Sequence, residues 1–149
     1  MQPTRTAEQK QLGTYIHAAL VDLGVLCMLA GLIIIEVNKN LSGRAHFESP
    51  HSIMGLITYI LVFLQAVSGV VQFFYPQVYG SVDNAKKMYK YHRGSGYVIF
   101  ALMCATVCAA TWTEYNLTVL EIHHWSVITA SVILLASLYA RIKKQKLGL

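Results

Sequence analysis

The 149 residues are 55% hydrophobic and only 13% charged, about half the charged share of an ordinary soluble domain. The net charge of +5 is gathered at a few points rather than spread along the chain. This balance argues against a water-soluble globular enzyme, and no nucleic-acid partner is expected; it leaves room for one membrane domain and no separate soluble domain.

In chain order, a polar start at 1–11 carries Arg5 and Lys10. No short apolar core followed by a small-residue cleavage site is visible, so the first span is expected to direct insertion and remain. Four apolar runs then follow, roughly 12–35, 52–75, 91–112 and 122–140. Each is near the ~20 residues needed to cross a ~30 Å hydrocarbon layer. Lipid offers no partner to an unpaired peptide group, so these runs are expected to be helices. The expected fold is all-α: a four-helix transmembrane bundle forming a single membrane domain over 1–149.

Charge sets the expected orientation. The second loop carries Lys86, Lys87 and Lys90, with Arg93 just inside the third run, and the tail carries Arg141, Lys143, Lys144 and Lys146. The first loop has only Lys39 and Arg44, and the third has none. By the positive-inside rule both termini are expected to be cytoplasmic. Two acceptor sequons, Asn40-Leu41-Ser42 and Asn116-Leu117-Thr118, fall in loops placed outside the cytosol. They point to a eukaryotic secretory-pathway or organelle membrane. Cys27, Cys104 and Cys108 all lie within spans, so no disulfide framework is implied and they read as small packing residues.

Each of the first three runs aligns small residues with a histidine at ~100° per residue. These are Gly13, His17, Gly24 and Gly31; then His51, Gly55, Thr58, Gln65 and Gly69; then His92, Gly96, Met103, Thr106 and Ala110. Small and weakly polar residues mark the packed face in a membrane. An ionisable residue inside a span is a functional hypothesis by default. With alternating helix directions, His17 and His92 fall at one depth, near the cytoplasmic surface. His51 and the His123–His124 pair fall near the other surface. Two axial imidazoles at one height on facing helices are what a b-type haem requires. His17 with His92 meets that condition, and His51 with His123 or His124 forms the second pair. His123 is favoured over His124 because it shares a stripe with Ser126, Ala130, Ser137 and Ala140. Without Cys-x-x-Cys-His, the haem is expected to be non-covalent. His46 reads as a solvated loop residue, with contact to a propionate or an outer substrate as the alternative. Asp22 points away from the His17 stripe and receives no role.

The run His46-Phe47-Glu48-Ser49-Pro50-His51-Ser52-Ile53-Met54-Gly55, then Gln65 and Gly69, then Tyr91-His92-Arg93-Gly94-Ser95-Gly96-Tyr97, resembles the eukaryotic cytochrome b561 family. The resemblance covers roughly two thirds of the chain, and His17 falls at the preceding helix's ligand position. It implies transmembrane electron transfer through heme b, of an ascorbate- or ferric-reductase-like kind. His17 and His92 look like the complete cytoplasmic pair, and His51 like half of the outer pair. The chain looks like the last four of the family's six helices. Either His123 or His124 therefore replaces the partner of His51, or a second chain does, or the outer haem is lost; one haem is expected, or two. The basic motif tied to cytoplasmic ascorbate binding in some members lies on a helix outside the resemblance, so ascorbate itself is not secured as the donor. Arg93, adjacent to His92, is the candidate for propionate contact. The expected partners are the lipid membrane and a small reductant or redox partner protein, with a homo-dimer or a larger complex as the assembly. The competing reading is a non-catalytic or single-haem accessory subunit. A His/Asp metal-ion transporter would need a continuous polar path at the midplane, which the sequence offers only through Asp22, Gln65 and small hydroxyls.

Overall fold

The computed structural model describes residues 6–142 and 147, and these contain helices and turns with no strand among them. Helix α1 spans Ala7–Leu41, α2 Pro50–Phe74, α3 Val82–Ala110 and α4 His124–Tyr139. A 3₁₀ turn, Pro76–Tyr79, leads from α2 to α3, and a single π turn, Asn116–Leu120, precedes α4. The first three helices are each long and apolar enough to cross a membrane; α4 is apolar but shorter, at 16 residues. The architecture is the expected all-α transmembrane bundle.

Local chemistry sets the helix ends. Thr6 opens α1 through a capping box, its hydroxyl accepting from Gln9 N and its own N–H donating to Gln9 Oε1, both at 3.2 Å. Ser49 caps α2 by accepting from Ser52 N at 3.1 Å, and Pro50 supplies the preset φ of a first helical residue. Pro76 follows its end. Helix α3 starts at Val82, nine residues ahead of the apolar run at Tyr91. Gly80, at φ 80°, turns the chain as only glycine does without strain, and Ser81 then caps the helix by accepting from Asn84 N at 3.1 Å. The polar first turns, with Asp83, Lys86 and Lys87, thus extend the helix below the apolar segment.

The closest pairing joins α2 to α3. Its contacts come from the two stripes. A Cβ on Gly55 would lie 3.9 Å from Thr106 Cγ2, and the Thr58 and Thr106 hydroxyls meet at 3.1 Å. Both hydroxyls also return to carbonyls of their own helices, Met54 O at 2.7 Å and Leu102 O at 2.8 Å. Helix α1 rests on α2 more lightly and has no buried residue. Tyr15 meets Phe73 edge-on at 5.3 Å, and Gly31 faces the Tyr59 hydroxyl. Gly24 has nothing within 4 Å, so the α1 stripe faces open space over much of its length. Helix α4 rests on α3, where the Cys108 thiol lies 3.4 Å from the Ser131 hydroxyl and Trp112 stacks on His124 at 4.0 Å.

The α3–α4 connection is pinned by Asn116, which is 4% exposed. Its amide nitrogen donates to Thr111 O at 2.8 Å and Ile122 O at 3.0 Å, while Oδ1 accepts from Ile122 N at 3.3 Å. The second sequon is therefore closed by folding, since the nitrogen that would carry a glycan is buried and engaged. Asn116→Ala is expected to cost about 1–3 kcal/mol, because it strands the buried Thr111 carbonyl and removes the bonds to the part-buried Ile122 backbone. A lowered thermal midpoint of the detergent-solubilised protein checks this. Intact-mass measurement of the wild-type protein is expected to find Asn116 unmodified.

Candidate cofactor site

A cavity of about 1310 Å³ opens between α1, α2, α3 and the later turns of α4. It exists because α1 leans on α2 without closing against α3. The volume exceeds the usual ~300–1,000 Å³ of a small-ligand pocket. His17 and Gly13 line it from α1, Gln65 and Gly69 from α2, and His92, Arg93 and Gly96 from α3. His17 is exposed, standing on the open wall, whereas His92 is half-buried.

Three residues on one face of α2, at i, i+3 and i+4, hold His92. Gln65 Nε2 donates to the His92 carbonyl at 2.5 Å. The Ser68 hydroxyl lies 3.2 Å from His92 Nδ1. Gly69 lies close against the ring: a Cβ there would fall 2.9 Å from Cε1. Ser95 locks Gln65 by donating to its Oε1 at 2.9 Å. Gly96 leaves room for that side chain, since its Cβ would stand 3.1 Å from Gln65 Nε2.

The cavity brings together His17, His92 and Arg93, with Lys10 and Tyr89 as further polar residues on its wall. Asp22, expected to point away from the His17 stripe, lines the same space, because α1 packs on one side only and a broad arc of it faces the opening. His51 lies elsewhere, on the α2–α3 interface, with Nδ1 2.9 Å from Thr106 O. A carbonyl only accepts, so Nδ1 carries the proton and Nε2 presents its lone pair. His123 is exposed at the start of α4. His124 is half-buried against Trp112, its Nδ1 buried without a hydrogen-bond partner among the described residues. His46, expected as a solvated loop residue, is half-buried and ties its loop to the last turns of α1, with Nδ1 2.6 Å from Glu36 Oε2 and Nε2 3.1 Å from Asn40 Oδ1. Lys86 pairs with Asp83 at 3.2 Å on the exposed start of α3.

Among the described residues, no cluster of three or more His, Cys, Asp or Glu side chains is placed to hold a metal ion. A porphyrin brings four nitrogens of its own and asks the protein for axial donors only. The donor set on the cavity wall has that form. Two imidazoles reach one space, glycines line it at 13, 69 and 96, and Lys10 and Arg93 stand on its wall as cations that could meet carboxylate substituents. A family model described as eukaryotic cytochrome b561 matches residues 2–115.

The chain belongs to the eukaryotic cytochrome b561 family.

Cytochrome b561 proteins bind b-type haem and move electrons across membranes, and this member is an integral membrane protein of that kind. Searches of curated proteins and of solved structures returned no match. The matched stretch contains His17, His51 and His92, whereas α4 with His123 and His124 lies beyond it. Sequence reasoning passed over Ser68 and took Lys10 only as an orientation signal. Ser68 sits three residues after Gln65 and beside Gly69, but nothing in the sequence shows where its hydroxyl points.

Proposed function

We propose that the protein carries electrons from a cytoplasmic donor toward an outer acceptor, with a b-type haem held between His17 and His92. The observation that carries this reading is the shared cavity, with His92 oriented on its wall by Ser68 and Gly69. A haem bound there supplies one-electron chemistry at iron. His17 and His92 would supply both protein ligands to the haem, and a haem held by two imidazoles favours electron transfer over oxygen binding. Arg93 and Lys10, on the cavity wall, would neutralise the haem's propionates. The cluster of Lys86, Lys87 and Lys90 at the same end of α3 supports a cytosolic location for that end by the positive-inside rule. The donor is a small reductant or a redox partner protein that approaches there.

A second haem at the other surface is a finer reading that one observation favours. His51 is held in the tautomer that leaves Nε2 available. Its partner would be drawn from the His123–His124 pair, or from a second chain. The sequon at Asn40, which is exposed, supports a eukaryotic secretory-pathway or organelle membrane.

The test is a pyridine haemochrome assay per mole of purified protein, with a dithionite-reduced minus oxidised spectrum. One haem per chain is expected from His17 and His92, and two if His51 also binds. In proteoliposomes enclosing ferricyanide, an outside reductant is expected to bleach it only when haem-loaded protein is present. A preparation with neither reducible haem nor stoichiometric iron overturns the proposal.

A further inference from the structure

Ser68 has one hydroxyl proton and two neighbours competing for it. One is the Gln65 carbonyl at 2.9 Å; the other is His92 Nδ1 at 3.2 Å. A carbonyl oxygen only accepts, so both contacts are hydrogen bonds at once only when the hydroxyl proton goes to Gln65 O. The Ser68 oxygen then faces Nδ1 with a lone pair, and the contact is satisfied only if Nδ1 carries the imidazole proton. That leaves the Nε2 lone pair free. Gly69 packs close to the Cε1 end of the ring, and Gln65 bonds the backbone from which the ring hangs.

We propose that Ser68 is a positioning residue for the haem ligand His92, selecting its Nε2-donor tautomer and setting its basicity. The inference rests on the haem reading above. A hydrogen bond at the distal nitrogen orients a ligating histidine and raises its electron donation to the metal. A neutral hydroxyl does so moderately, well short of a carboxylate, and its chain continues to a backbone carbonyl that cannot change charge. His51 reaches the same tautomer through Thr106 O, a backbone acceptor that no side-chain substitution removes. Of the two histidines, only His92 has an orienting partner that evolution or an experimenter can exchange.

The experiment compares Ser68→Ala and Ser68→Thr with the wild-type chain. In haem-loaded protein, Ser68→Ala is expected to retain haem but to lose the donor-strengthening bond. Its reduction equilibrium shifts about three- to tenfold toward the ferrous form, upward by about 30–60 mV at 59 mV per tenfold. The low-spin electron paramagnetic resonance g-values move with it, and Ser68→Thr restores both. In haem-free protein, ¹⁵N shifts of His92 are expected to report the Nδ1–H tautomer in wild type and Ser68→Thr, and a mixture in Ser68→Ala. An unchanged potential and unchanged g-values in Ser68→Ala overturn the role, as does a wild-type His92 protonated at Nε2. A wild-type chain that binds no haem overturns the haem reading instead, while the tautomer measurement still decides what Ser68 does to His92.

Discussion

Alanine in place of His92 is expected to abolish the low-spin b-type spectrum of the purified protein. Exchanging a residue that merely orients a metal ligand already weakens binding by about 10–100-fold. Removing the ligand itself costs more, and haem content per chain should fall to the level of non-specific carry-over. His92 also packs on Gly69 and bonds Ser68, so its loss by itself does not separate ligation from folding. His17 makes that separation. It is exposed on a helix with no buried residue, so His17→Ala removes a donor from the cavity wall without opening a packed interface. The same loss of spectrum is expected from His17→Ala with an unchanged elution profile and helix content. His46→Ala is the control, since His46 engages Glu36 and Asn40 outside the cavity, and it should leave the spectrum intact. A full low-spin signal in His17→Ala would refute the pairing.

The second large effect is expected from Gly69→Ala, which adds a single carbon. That carbon would lie 2.9 Å from His92 Cε1 and 3.4 Å from Nε2. Neither neighbour is the free end of a flexible chain, because the ring is held by Ser68 and the backbone by Gln65. The helices must part or the imidazole must swing out of line. Overpacking of this kind typically costs about 1–3 kcal/mol. The thermal midpoint should fall, and haem occupancy should fall further than stability alone accounts for. Gly24→Ala provides the contrast: nothing lies within 4 Å of its added carbon, and alanine is the better helix former, so no loss is expected. Equal behaviour of the two variants would show that the approach of α2 to His92 is looser than described.

Much of this was legible from periodicity. The four apolar runs, the α2 and α3 stripes and the cavity's two histidines follow from span length, helical repeat and small-residue placement. The α2 and α3 stripes do meet, through Gly55, Thr58 and Thr106 at one level and Gln65, Gly69 and His92 at another. Hydropathy could not mark where α3 begins, because its first turns are polar and owe their helicity to the Ser81 cap. Nor could a helical wheel place Asp22, since a wheel assumes packing around the whole helix and α1 is packed along one side. Ser68 escaped because a serine's role depends on where its single proton goes, a matter of tertiary geometry. The Asn116 sequon misled for a related reason: a motif of three residues carries no information about the carbonyls that fold over its amide.

The unequal strength of the helix pairings bears on how the protein is put together. The half of the site that presents His92 is complete once two consecutive segments, α2 and α3, have found each other. The opposite imidazole arrives on a helix that nothing yet clamps in place. If a porphyrin is captured between the two imidazoles as proposed, it would clamp α1 as well, and loaded and empty chains should differ chiefly in how firmly their first helix is held.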